Sequence, residues 1–456
     1  MFIGRERELA LLEDRYASGA FEFVPIYGRR RVGKTTLIKR FLEGKDHLYY
    51  SAVRRSADYN LGRIAERLFG PGIKASPDAI LGELRRRSSD RRFVLVIDEY
   101  PNLVKDEEWI SDLIQEFIDD IKEDSKLFII LCGSSMNMME HQVLGYKSPL
   151  YGRRTGSIKV EPFDYFQSRQ FLEGFTEEDK VRIYGMVGGI PLYLEKFDST
   201  RTLRENVSRN FLREDSFFRN EPEMLMLIEF DIPATYDAIV EAVARGCTKN
   251  SEIADAVGIK SSNISGLLNQ LCGLGMIGKR RPVDNPGGKM VRYRVEDQFL
   301  AFYYRNIFGR YDALIDSEMD EAAERILESH EGVLGFVFED ICSQFMRSRG
   351  EVGTWWGVDA NTRTREEIDL VIQSKRDDPP VWYFCECKYT DWDVGQNILD
   401  KLIHRAELVK VAGERRYVLF FRSGFTDGMP KRQDLETFTL DGMIASGGRA
   451  PVGSQV

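Results

Sequence analysis

Histidine is scarce in this chain: four residues in 456 leave little material for a histidine-based metal centre. The six cysteines, Cys132, Cys247, Cys272, Cys342, Cys385 and Cys387, are scattered and show neither metal-ligand spacing nor a disulfide framework. No run of about 18 apolar residues occurs, so no membrane-spanning helix is expected. The N-terminus lacks the basic, apolar, then small-residue pattern of a signal peptide. Positive charge is not in excess either. Lys and Arg number 64 against 73 Asp and Glu, and a net charge of −9 argues against indiscriminate coating of nucleic acid. These absences predict a cytoplasmic protein without a membrane partner. A hydrophobic content of 43% and a charged content of 30% describe an ordinary globular chain, long enough for two or three domains with separate cores.

Against this background two segments carry strong chemical signals. Residues 28 to 35 read GRRRVGKT and residues 93 to 103 read FVLVIDEYPNL. The first has the pattern of a phosphate-binding loop, formed by Gly28, Arg29, Arg30, Arg31, Val32, Gly33, Lys34, Thr35 and Thr36. Its glycines allow a tight turn, so that successive N–H groups face phosphate oxygens. Lys34 is placed to reach the β- and γ-phosphates, and Thr35 to offer a hydroxyl to Mg²⁺. The second segment is an apolar run ending in two carboxylates, as expected of a buried parallel strand whose C-terminal tip meets the ligand. Asp98 is a candidate for the magnesium shell, and Glu99 for polarising the attacking water. The pair of motifs predicts binding of ATP or GTP.

Residues 1–222 alternate apolar strands with amphipathic helices, which predicts a parallel α/β sheet covered on both faces. FVPIYG enters the phosphate loop, TTLIKRFLE leaves it, and HLYYSA and KLFIILCGSS supply further strands. At the end of the last strand Ser134 and Ser135 suit either a γ-phosphate sensor or a plain turn. Arg153 and Arg154 follow a Pro/Gly-containing loop. They suit either an ordinary surface pair or a stabiliser of the transferring phosphoryl group, acting in cis or across a homo-oligomer interface. VGGIPLYL breaks one helix and starts another at Pro191.

Residues 223–312 change character. NSEIADAVGIKSSNISGLLNQLCGLGMI places apolar residues at Ile253, Ala254, Val257, Ile264, Leu267, Leu268 and Leu271, the pattern of a helix-turn-helix. GKRRPVDNPGGKMVRYRV then reads as a basic β-hairpin with its turn at DNPGG. The combination predicts a winged helix. In a DNA-binding reading, Ser261, Ser262, Asn263 and Ser265 open the recognition helix while Lys279, Arg280, Arg281 and Lys289 contact phosphates. Winged helices also serve as lids and protein-contact modules.

Residues 313–456 read as a helix over SHEGVLGFVFEDICSQFMRSR, strands at EVGTWWGV, EEIDLVIQ and VWYFCECKY, a helix from Val394 to about Val411, and a strand at YVLFFRS. Strand side chains alternate, so Glu386 and Lys388 share one face while Cys385 and Cys387 share the other. Asp369 on the preceding strand is positioned as their cross-strand neighbour, and Glu339 could add a fourth group. Two carboxylates with a lysine suit a Mg²⁺ site acting on a phosphodiester. A buried structural ion pair is the plain alternative.

Taken together, these motifs resemble the archaeal-type AAA+ ATPases related to the STAND nucleotide switches, which carry a C-terminal domain similar to a PD-(D/E)xK restriction endonuclease. FIGRERELALLE resembles that family's adenine-side box, which implies that Phe2, Ile3, Gly4 and Arg5 lie near the base. GRRRVGKT and VIDEY match the Walker A and Walker B motifs, GGIP matches a signature after the arginine pair, and Asp369, Glu386 and Lys388 match the nuclease core. The resemblance implies ATP with Mg²⁺, and no Asn/Thr-Lys-x-Asp guanine-reading motif is evident. In one respect the chain departs from the restriction-enzyme pattern: Glu367 is expected on the same face as Asp369, so either could be the ligand. The function implied is an ATPase coupled through a DNA-binding winged helix to a Mg²⁺-dependent nuclease-like domain. The alternatives are a signalling ATPase whose tail only recognises a partner, and a transcription regulator.

Overall fold

The computed structural model describes residues 2–105, 107, 109–310, 318–374, 379–390, 392, 395–424 and 430–451. Contacts group the chain into two compact units, 1–162 with 190–192, and 163–189 with 193–456. Among the described residues no helix is long and apolar enough to cross a membrane.

The first unit is built on six strands: β1 Glu22–Phe23, β2 Ile26–Tyr27, β3 His47–Ser51, β4 Phe93–Asp98, β5 Leu127–Gly133 and β6 Ile158–Lys159. All pairings are parallel, in the order β3-β4-β5-β2-β6, with β1 also on β5. The segment FVPIY is split into two short strands because Pro25 has no N–H to give the ladder. FVLVID and LFIILCG are buried at every position, since helices cover both faces of a parallel sheet. Helices Lys34–Leu42, Ala57–Phe69, Pro77–Ser88 and Trp109–Ile121 supply part of that cover. Two of them start on serine caps: Ser56 accepts from the Tyr59 N–H, and Ser76 accepts from Ala79 one residue before Pro77. Because β2, β4 and β5 run the same way, the residues after their C-terminal ends share one edge of the sheet.

The second unit begins with helices. Glu177–Val187 packs on Gln298–Asn306 and on Leu334–Met346, which ties the early helices to the C-terminal region. Position 222 lies in this unit, and position 312 lies outside the described residues. Helices Asn250–Val257 and Ser261–Gly273 form the expected helix-turn-helix, with Gly258 at φ 68° in the turn. Ile253, Ala254, Ile264, Leu268 and Leu271 are its buried stripe. Antiparallel strands β7 Ile277–Arg280 and β8 Arg292–Val295 follow.

The remaining strands are β9 Gly350–Val358, β10 Arg365–Ser374, β11 Val381–Lys388, β12 Glu414–Phe421 and β13 Leu435–Thr439. They form a mixed sheet in the order β13-β12-β11-β10-β9, antiparallel among β9, β10 and β11 and parallel from β11 to β13. Helix Leu334–Met346 covers one face and Gln396–Leu408 the other. Two helices differ from expectation. The helix read over 329–349 is two helices, Met319–Glu331 and Leu334–Met346, because the first ends at Gly332. The second covering helix starts at Gln396 and ends at Leu408, and Val394 lies outside the described residues. Strand β13 and the helix Leu440–Ala445 were not anticipated, since LETFT is short and only half-buried and so carries no strong alternation.

Candidate functional site

The loop after β2 is shaped by backbone that only certain residues tolerate. Gly28 has φ 148°, and a Cβ there would lie 2.2 Å from the Val160 carbonyl oxygen. Arg31 at φ 69° and Gly33 at φ 94° are also left-handed, and such turns make an anion-binding concavity of backbone N–H groups. Helix Lys34–Leu42 starts directly from this loop, so its N-terminal dipole points the same way. Lys34 Nζ donates to the Gly28 and Arg29 carbonyls at 2.7 and 2.9 Å, which holds the ammonium over the loop. Arg5, buried and itself at φ 71°, donates to Val32 O at 2.9 Å and Glu161 O at 2.7 Å, so the N-terminal box braces the loop from behind.

The tips of β4 and β5 complete the arrangement. Thr35 Oγ1 donates to Asp98 Oδ2 at 2.9 Å, and the Glu99 N–H donates to Asp98 Oδ1 at 3.0 Å. Tyr49 on β3 donates to that same Oδ2 at 2.6 Å. Burial and the neighbouring Asp98 charge raise the Tyr49 phenol well above the ordinary tyrosine range, so it stays a donor. Glu99 is held at φ 51°, a conformation that costs a non-glycine residue energy and is kept at sites where the side chain must be aimed. Ser134 Oγ, at the end of β5, donates to Glu99 Oε2 at 2.9 Å. Sequence reasoning missed Tyr49, because a tyrosine in an ordinary strand gives no signal of the oxygen it will meet.

Arg153 and Arg154 are tied to neighbours in the same unit. Arg153 donates to Asp119 at 2.8 and 3.2 Å, which holds that carboxyl below the usual range. Arg154 donates to the Tyr151 carbonyl at 3.3 Å and sits 5.2 Å from that ring's centre. Pro191 of GGIP packs 4.0 Å from where a Gly33 Cβ would stand.

In the second unit, Asp369, Glu386 and Lys388 come together. Asp369 Oδ2 accepts from the Cys387 N–H at 2.8 Å, and Lys388 Nζ lies 2.7 Å from Glu386 Oε1. Burial, then the Glu386 charge, push the Asp369 carboxyl up to about 6. Burial, then Asp369, push Glu339 up to about 8. Burial would lower Lys388, but Glu386 and Asp369 outweigh it and hold the ammonium above its ordinary value. A residue not foreseen, Arg405 on helix Gln396–Leu408, grips both oxygens of Glu386 at 3.2 and 3.1 Å and Glu366 at 2.9 Å. Among the described residues no group of three or more His, Cys, Asp or Glu side chains is arranged to hold a metal ion.

Glu367 and Asp369, expected on one face, lie just before and within an irregular stretch of β10. The β9–β10 register shifts between Ile368 and Val371, a bulge that breaks the period-two alternation. Ile368 accordingly packs in the core under helix Gln396–Leu408 and Leu370 in the core under Leu334–Met346. Glu367 pairs with Arg292 of the hairpin at 3.0 Å and is 57% exposed. The hairpin's basic side chains are likewise partly committed. Arg294 meets Asp340 at 2.5 Å, Gln298 meets the same oxygen at 2.6 Å, and Arg280, expected on phosphate, lies 3.1 Å from Glu296.

The family described as an ATPase domain predominantly from Archaea matches residues 2–197, and a family described as "Archaea bacterial proteins of unknown function" matches residues 303–401. An uncharacterized protein of Methanocaldococcus jannaschii is 34% identical over 434 residues, covering 91% of this chain and 94% of the relative. An uncharacterized ATP-binding protein of the same organism is 51% identical over 45 residues, 10% of this chain and 76% of that protein. A solved Walker-type ATPase of Pyrococcus abyssi, 21% identical, aligns with a TM-score of 0.50 over 67% of this chain and 96% of its own, a likeness of fold. With its phosphate loop, acidic strand and near full-length relative, the chain belongs to the archaeal family of P-loop ATPases that carry a C-terminal domain of unknown function.

Proposed function

We propose that the first unit hydrolyses ATP with Mg²⁺ and that the nucleotide state governs a nucleic-acid-handling second unit. The observation that carries this reading is the arrangement around Asp98 and Glu99, with the Thr35 hydroxyl on one carboxylate and the strained, serine-held second carboxylate beside it. The residues fit the group. The N–H groups from Gly28 to Thr36 and the Lys34 ammonium would hold the phosphates, and Thr35 and Asp98 would hold Mg²⁺, which neutralises charge on the transferring phosphoryl group. Glu99 polarises the attacking water and Ser134 keeps it aimed. Arg153 or Arg154, once released from Asp119 and Tyr151, stabilises developing charge in its own subunit or in a neighbouring copy. Ile190–Leu192, a three-residue piece of the first unit flanked by stretches of the second, gives the phosphate loop a covalent route to the rest of the chain. The test is ATP binding and turnover. Lys34→Ala is expected to lose binding, and Glu99→Gln to bind ATP without hydrolysing it; normal turnover by Glu99→Gln sinks the assignment.

For the second unit, the order helix, three strands, helix, strand and the meeting of Asp369, Glu386 and Lys388 support a restriction-endonuclease-like domain acting on DNA with a metal ion. Asp369 and Glu386 would be the ligands and Lys388 would steady charge on the phosphate. The test is cleavage of single-stranded, duplex and branched DNA with Mg²⁺ or Mn²⁺ by wild type, Glu386→Ala and Lys388→Ala. Equal inertness of all three removes the nuclease reading. One observation favours a non-catalytic, partner-recognising tail instead: Arg405 occupies both oxygens of Glu386. In that case Arg405→Ala unlocks no cleavage and only destabilises the fold.

A further inference from the structure

In a chain whose net charge is −9, one cleft of the second unit gathers cations. Its volume is about 1160 Å³, and six basic side chains line it: Lys249, Lys279, Arg281, Lys289, Arg292 and Arg365. They come from three places in the sequence: the start of the helix-turn-helix, the hairpin, and β10. Two acidic residues, Glu366 and Glu367, also face it, and both are already neutralised, by Arg405 at 2.9 Å and Arg292 at 3.0 Å. Lys279, Arg281, Lys289 and Arg365 are exposed and pair with no carboxylate among the described residues. Like charges gathered in this way raise each other's energy, and an anionic ligand removes that cost.

The cleft also has a surface for flat rings. The Arg292 guanidinium sits 4.5 Å from the centre of the Trp356 ring, is fixed by Glu367, and keeps 37% of its surface exposed. Met290, 49% exposed, lines the same cleft. Stacked aromatic and guanidinium groups next to cations suit unpaired bases on a phosphodiester backbone. One wall is the hairpin, the other the β9–β10 edge, and the two are joined where the Val283 N–H donates to Thr354 O at 3.1 Å. A cleft with a wall on either side takes a strand laid into it. A duplex needs the opposite arrangement, an open protein surface entering a groove about 12 Å wide.

We infer that this cleft binds single-stranded nucleic acid, with the hairpin and the C-terminal sheet acting as one composite site. The inference rests on the nucleic-acid part of the proposed function and makes it specific: the C-terminal sheet supplies Arg365 as a phosphate contact, and the strand passes Glu366, which Arg405 links to Glu386. The full-length protein is titrated against fluorescent single-stranded DNA, single-stranded RNA and duplex DNA oligonucleotides, by anisotropy across a salt series. Single strands are expected to bind more tightly than duplex, and the DNA and RNA arms decide which sugar is preferred. Lys289→Ala and Arg365→Ala should each weaken single-strand binding several-fold and lower the slope of log K against log salt by about 0.7. ATP hydrolysis and melting temperature should be unchanged in both variants. Single-strand binding that is indifferent to Arg365→Ala overturns the composite cleft while leaving nucleic-acid handling intact. Duplex binding as tight as single-strand binding also overturns it. Failure to bind any oligonucleotide removes both.

Discussion

The hydroxyl of Tyr49 lies 2.6 Å from Asp98 Oδ2, the same oxygen that the Thr35 hydroxyl reaches at 2.9 Å. A strand neighbour thus fixes the carboxylate at the end of the acidic strand, and partners of this kind tune metal sites as strongly as many direct ligands. Tyr49→Phe is expected to cost roughly 10-fold in Mg²⁺ affinity or turnover. ATP hydrolysis titrated with Mg²⁺ reads this out, and an unchanged titration curve shows that Tyr49 only packs.

Ser134 holds Glu99 through one hydrogen bond at 2.9 Å. Ser134→Ala should lower turnover several-fold with ATP affinity retained, whereas Glu99→Gln should lower it by about 100-fold or more, the scale of a lost general base. Steady-state turnover alongside equilibrium ATP binding separates the two. Equal losses in both variants would mean that Ser134 does more than aim the carboxylate.

The Arg294–Asp340 pair at 2.5 Å clasps the hairpin to helix Leu334–Met346. Asp340→Ala strands the Arg294 charge and should cost about 3 kcal/mol, near the low end for a broken buried pair. Replacing both residues by apolar ones of similar size should recover most of that loss. Urea unfolding of the single and double variants measures it, and a double variant no more stable than the single shows that the charge pair is not the source of the stability.

His330 is fully buried and its ring lies 3.0 Å from the Arg182 carbonyl oxygen. Burial first of all lowers its pKa to about 4 from 6.5. A base depressed in the folded state contributes stability that is fully present above the unfolded value and is lost as pH falls through the folded one. The expected loss is about 3 kcal/mol between pH 6.5 and 4. Urea midpoints of wild type and His330→Gln across that range test this, and parallel pH profiles refute it.

How much of this was legible beforehand depended on whether the signal was local. GRRRVGKT and FVLVIDEY announce themselves because the chemistry needs adjacent residues: glycines for the turn, a lysine and threonine at the helix start, and an apolar run ending in carboxylates. The helix-turn-helix stripe at Ile253, Ala254, Ile264, Leu268 and Leu271 was equally readable, since burial follows a fixed period. The pairing of Glu367 with Arg292 was not, because the two are far apart in sequence, and nothing in EEIDLVIQ marks the bulge in β10.

The sequence by itself therefore determined that a phosphate loop, an acidic strand and an alternating Glu386/Lys388 strand exist, because each is set by neighbours along the chain. Only the tertiary structure decided what they meet. Tyr49 reaches Asp98 across a strand pair, Arg405 reaches Glu386 from a helix, and the hairpin's arginines turn to Asp340 and Glu367. Those contacts join residues far apart in sequence, and their energies depend on burial and distance, which local pattern does not encode.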